Sequence, residues 1–174
     1  GASYVLPDPI FTKNGSALNE SLIGTEKSKD ILNGFGGDDT LSGYGNDDTL
    51  NGGTGNDTLQ GGSGNDTYIY NSGDGLDTII DAAGIDTIHL GGGFLKTDAQ
   101  FQKSGNDFLV FLKGVQVFAL KGQFLANNII ETIKFSDGSI YQLSDTPLIL
   151  NGTAASEPLS GYDTTSDTIY GLGG

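Results

Sequence analysis

Five aspartates stand nine residues apart, at Asp30, Asp39, Asp48, Asp57 and Asp66. A row of carboxylates at fixed spacing is the chemistry of hard-cation binding. Two residues after each aspartate comes an apolar side chain: Leu32, Leu41, Leu50, Leu59 and Tyr68. The register slips by two at Tyr70-Asn71, then resumes with Asp77 before Ile79 and Asp86 before Ile88. Threonine stands between acid and apolar residue at Thr40, Thr49, Thr58, Thr67, Thr78 and Thr87. A disordered acidic linker would not keep three columns in phase.

Something must hold these acids in place, and the same columns predict it. Each nonapeptide divides into a six-residue Gly/Asp loop and a three-residue strand. In such a strand the middle side chain faces one way and its flanks the other. The Leu/Tyr/Ile column therefore points inward and the threonines outward. Two units make a turn of 18 residues, and successive turns stack as parallel strands about 4.8 Å apart. The fold class predicted is all-β, a parallel β-roll of stacked nonapeptide repeats.

The loops account for the acids. Glycines let the backbone take positive φ and turn carbonyls inward. Carboxylate and carbonyl oxygens from stacked loops supply the six to eight hard ligands that Ca²⁺ takes. The expected carboxylate ligands are Asp39, Asp48, Asp57, Asp66, Asp77 and Asp86, with Asp30 in the least regular loop. The expected backbone ligands come from Gly34, Gly43, Gly52 and Gly61, and from Gly37, Gly55 and Gly64. Alternate loops share a side, so Asp30, Asp48, Asp66 and Asp86 fall on one and Asp39, Asp57 and Asp77 on the other. Eleven acids and no lysine lie between Asp30 and Leu95. Stacked carboxylates repel, so the coil is expected to close only with cations, and metal binding becomes folding free energy.

"GGTGNDTLQ" and "GGSGNDTYI" at residues 52–69 resemble the RTX (repeats-in-toxin) family, whose pattern is G-G-x-G-x-D-x-U-x. "GFGGDDTLS" and "GYGNDDTLN" keep most of it, with Phe35 and Tyr44 at the second position. The stretch from Phe101 to Phe124, with "IIETIKFSDGSIYQL" after it, is similar to the haemolysin-type calcium-binding related segment. Read from its residues, that stretch is an antiparallel β meander capping the roll. Strands are predicted at Phe108–Leu112 and Val115–Leu120, a short helix or turn near Phe124–Thr132, and a hairpin across Asp137-Gly138.

The expected organisation is a lead-in over 1–21, the roll over 22–90, the cap over 91–148, and the start of a next tandem block over 149–174. The last assignment rests on "SGYDTTSDTIYGLGG", which aligns without gaps on Ile23–Gly37 and sets Asp167 on Asp30.

Composition narrows the function. The formal net charge is −14, with 22 acids against 8 basic residues. This argues against nucleic acid and against anionic membrane surfaces as partners. The chain has no cysteine and no apolar run long enough to insert in a bilayer. His89 is the single histidine and no nucleophile motif accompanies it, so no enzyme is expected. The resemblance implies a calcium-dependent module of a secreted or surface-attached bacterial protein, exported by type I secretion and folding on Ca²⁺ outside the cell. Its partners would be calcium ions and neighbouring modules of the same chain, as a structural or adhesion array unit. The alternative is a calcium-dependent carbohydrate-binding module that takes extracellular polysaccharide, with Phe35 and Tyr44 as aromatic surface.

Overall fold

A computed structural model of the protein describes residues 9–123, 130–143, 149–151 and 168–170. It is a solenoid of two facing sheets. The strands alternate between them in chain order: β1 (Ile10–Asn14), β2 (Ser21–Ile23), β3 (Lys29–Gly36), β4 (Thr40–Gly45), β5 (Thr49–Thr54), β6 (Thr58–Ser63), β7 (Thr67–Tyr70), β8 (Asp77–Ile80) and β9 (Asp86–Leu90). Odd strands stack parallel in one sheet, and even strands stack parallel in the other.

The apolar column decides the register. Leu32 pairs with Leu50, Leu50 with Tyr68 and Tyr68 with Ile88 in the first sheet. Leu22, Leu41, Leu59 and Ile79 line up likewise in the second. All eight are buried. A fully buried side chain of this size contributes roughly 1.5–3 kcal/mol, so these two files are the main cohesive element of a narrow solenoid.

Two features differ from the reading of the sequence. The central strands have six residues rather than three, because the first glycine of each repeat continues the strand instead of opening the loop. The coil also starts ahead of the regular repeats, since β1 and β2 extend the two sheets.

The cap continues both sheets. After the 3₁₀ turn Lys96–Asp98 come β10 (Ala99–Ser104), β11 (Asp107–Leu112), β12 (Val115–Lys121), β13 (Ile130–Lys134) and β14 (Ile140–Gln142). β10, β11 and β12 form an antiparallel meander, and β12 then joins β8 in parallel. β13 joins β9 in parallel and pairs antiparallel with β14. Leu120 thereby extends the Ile79 file and Ile133 the Ile88 file. Residues 124–129 of the predicted helix or turn lie outside the described residues, and Ile130–Thr132 are strand.

Two further strands, β15 (Ile149–Asn151) and β16 (Thr168–Tyr170), add in parallel beyond β10. Asp167 lies outside the described residues.

Candidate metal centre

Each repeat aspartate stands at or next to the start of a strand and turns its side chain into the solenoid, where Asp30, Asp39, Asp48, Asp57, Asp66, Asp77 and Asp86 are all buried. One carboxylate oxygen is spent on the backbone. Asp48 Oδ1 accepts the N–H of Asp30, Asp66 Oδ1 that of Asp48, and Asp86 Oδ1 that of Asp66, at 2.7–2.8 Å. On the other side Asp57 Oδ1 accepts from Asp39 and Asp77 Oδ1 from Asp57, at 2.7 and 3.0 Å. The two files expected from alternate loops are thus brought together as two hydrogen-bonded ladders.

The second oxygen is the informative one. Oδ2 of Asp39, Asp48, Asp57, Asp66 and Asp86 is buried without a hydrogen-bond partner among the described residues. Burying a charged oxygen unpaired is costly, so such atoms mark a site for a cation or a proton. Burial raises Asp48 and Asp57 to about 6, Asp66 and Asp77 to about 7, and Asp86 to about 8. Asp30 differs: Thr25 N–H and Ser28 Oγ donate to its two oxygens at 2.5 and 2.6 Å, which closes it from within the protein.

The first glycine of each repeat explains the space around these oxygens. A Cβ on Gly43 would strike Asp48 Oδ2 and stand 2.8 Å from the Gly61 carbonyl. Gly34 meets Asp39 Oδ2 and the Gly52 carbonyl in the same way, while Gly52 and Gly61 meet Asp57 and Asp66. The glycine is required for room rather than for φ. What converges there is a carboxylate oxygen from one turn and, at Gly34 and Gly43, a carbonyl oxygen from the next. That all-oxygen donor set suits a hard divalent cation.

Positive φ belongs to the second and fourth positions. Gly53 and Gly62 take 91° and 110°, and Gly37, Gly55 and Gly64 take 92°, 142° and 131°. Where the second position is not glycine the chain still makes the turn, with Phe35 at 74° and Tyr44 at 80°. Both rings are exposed, on strands of different sheets.

Four features of the site were missed in the sequence. Glu20 occupies an aspartate position, since its N–H donates to Asp39 Oδ1 and Leu22 follows two residues later. Glu131 ends the first file by accepting the Asp86 N–H at 2.6 Å, with Thr132 and Ile133 beside Thr87 and Ile88. Glu-x-apolar was the signal for both.

The residue before the repeat acid also has a task. Asp38 and Asp47 accept the N–H of Asn56 and Asn65, and Asn56 and Asn65 accept those of Leu76 and Ile85. This outer ladder locks the loops to one another.

The fourth is Asp81, which stands where earlier repeats carry the first glycine. Its carboxylate, with those of Asp66 and Asp86, offers oxygens all within 4.8 Å of one another. Tyr68 Oη donates to Asp81 Oδ1 at 2.6 Å and accepts the Gly61 N–H at 2.9 Å. The slip at Tyr70 has a similar cause. Tyr70 fills the first-glycine position of its unit with a ring packed edge-on against Phe118 at 5.6 Å, and the loop behind it is longer. His89 faces outward on β9 beside Lys134, away from the acid files.

Stacked parallel strands carrying two inward files of oxygen donors define a parallel β-roll. Residues 14–50 and 42–76 match the family model of the RTX calcium-binding nonapeptide repeat (4 copies). Residues 14–76 therefore carry repeats of the RTX calcium-binding nonapeptide type. No curated protein matches the chain.

Proposed function

We propose that this module is an extracellular folding switch of a secreted or surface-attached bacterial protein, disordered in its repeats without calcium and closed into a rod with it. The reading rests on one observation: the buried Oδ2 atoms of the repeat acids Asp39, Asp48, Asp57, Asp66 and Asp86 point to where no donor among the described residues meets them. Calcium would be held by Asp39, Asp48, Asp57, Asp66, Asp77 and Asp86 with the first-position glycine carbonyls. Bound there, it would supply the positive charge that these buried carboxylates otherwise lack. Extracellular modules bind calcium at about 10⁻⁴ to 10⁻³ M, far above cytosolic levels, which suits export before folding by type I secretion.

The experiment is far-UV circular dichroism during a calcium titration. The repeats should gain β-structure cooperatively at millimolar calcium and much less with magnesium, which demands strict octahedral geometry. Asp57→Asn keeps the shape and removes a charge, so its midpoint should rise about tenfold, a loss of about 1.4 kcal/mol. Asp98→Ala, outside the acid files, should leave it unchanged. A chain already fully β-structured in chelator would overturn the switch. As a structural array unit the module is assigned no reaction. Polysaccharide binding is the lesser reading, since the exposed rings of Phe35 and Tyr44 lie in different sheets; a glycan array with and without calcium tests it.

A further inference from the structure

The end of the chain repeats its beginning twice over, in side chains and in strand register. Residues 151–174 align without gaps on 14–37. Asn14, Gly15, Glu20, Leu22, Gly24 and Asp30 recur as Asn151, Gly152, Glu157, Leu159, Gly161 and Asp167, each 137 positions on. These include the first glycine–acid pair of the roll and its first buried leucine.

The backbone repeats the same way. β1 pairs with β3 as Thr12↔Ile31, Lys13↔Leu32 and Asn14↔Asn33. β15 pairs with β16 as Ile149↔Thr168, Leu150↔Ile169 and Asn151↔Tyr170. Adding 137 to each member of the first set yields the second. β15 and β16 are thus the counterparts of β1 and β3, the first two strands of one sheet of a roll.

Their position shows how that roll is attached. β15 lies parallel to β10, with Gln102 opposite Ile149. β10 itself runs parallel to β12 and β8, because two antiparallel steps separate it from β12. Strand direction is therefore preserved from one roll into the next. By the same correspondence, the outer edge of β1 is the surface that a β10 edge fits. Among the described residues β1 is an edge strand of its sheet, with Ile10 and Phe11 exposed at 69% and 48%. A five-residue edge of this kind is a template for another strand.

We propose that the partner of the β1 edge is a second copy of this module, docked through its β10, so that the β10-containing sheet of one copy continues as the β1-containing sheet of the next. Seven strands run from β2 to β10, so each copy adds about 34 Å at the usual strand spacing. The result is a stiff rod without a hinge at the junction. This rests on the reading of the chain as an array unit, but not on what its loops bind.

The chain contains no cysteine, so an introduced pair is the only one. Gln102→Cys with Ile149→Cys occupies paired positions, and Gln102→Cys with Asn151→Cys is displaced by two residues. In calcium, mild oxidation should close the first pair at least about tenfold faster, since a disulfide requires Cα atoms within about 4.4–6.8 Å. Equal rates, or no closure of either, overturn the junction.

A second chain, residues 1–151 followed by 15–174, carries two copies and no substitution. Small-angle scattering should show a single rod about 34 Å longer than the original chain. Scattering from two bodies on a flexible joint overturns the proposal. Calcium titration of that chain separates the two readings: loaded rolls that hinge reject the junction alone, and a junction that cross-links without calcium uptake rejects the calcium reading alone.

Discussion

Asp81 shows how one side chain changes the character of a repeat. At Gly34, Gly43, Gly52 and Gly61 a bare glycine faces the repeat acid, whereas here a third carboxylate joins Asp66 and Asp86. Two unit charges at that separation repel by roughly 3–4 kcal/mol at an effective dielectric near 20. The extra charge therefore costs most without a cation and contributes most with one. Asp81→Gly restores the repeat pattern, and its effect should change sign with calcium. In chelator the variant should form β-structure more readily than the parent. In calcium its tightest-bound ion should weaken by about tenfold or more, near 1.4 kcal/mol. Isothermal titration calorimetry beside circular dichroism checks both; a variant that binds calcium as tightly as the parent would show Asp81 to be packing alone.

Turn chemistry governs the next level up. The second loop position needs the left-handed backbone, which glycine adopts freely and which costs other residues roughly 1–2 kcal/mol. Tyr44 accepts that conformation with its ring half in solvent, at φ 80° and 49% exposed. Tyr44→Gly removes the strain and loses little burial, against a penalty of about 0.5–1 kcal/mol for glycine's freedom in the unfolded chain. The calcium-loaded variant should be more stable by about 0.5–1 kcal/mol, read as a higher thermal midpoint. The opposite change at a first-position glycine, Gly43→Ala, should abolish loading, because its Cβ would occupy the place of Asp48 Oδ2.

Over the whole solenoid the buried acids couple folding to pH as well as to metal. Asp48 and Asp57 rise from 3.8 to about 6 in the coil. The calcium-free coil therefore binds more protons than the unfolded chain between those values, and its stability falls as pH rises through them. At neutral pH these buried, ionised carboxylates destabilise the calcium-free coil. In chelator, β-structure should be greater at pH 5 than at pH 8. In millimolar calcium the order reverses, because the bound form needs ionised carboxylates and protons compete for them. Circular dichroism across pH in both buffers checks the crossing; parallel profiles would uncouple the acids from metal.

The sequence by itself determined the architecture where side-chain identity repeats in phase. Asp-Thr-Leu at nine-residue intervals admits one winding, and the paired files of Leu41 on Leu59 and Leu50 on Tyr68 follow from it. The cap strands were legible for the same reason, since Phe108–Leu112 and Val115–Leu120 carry apolar residues around a Lys-Gly turn. Several site features depended on neighbours far along the chain, and no local pattern displays those. Glu131 reaches the Asp86 N–H across 45 residues. Asp81 becomes part of an acid cluster only because Tyr68 crosses the core to hold it. Only the packed coil shows that Asp30 is closed by Thr25 and Ser28 while the next acids keep an oxygen bare. Periodicity sets which residues face inward, but burial and the hydrogen bonds left over decide which of them need a cation.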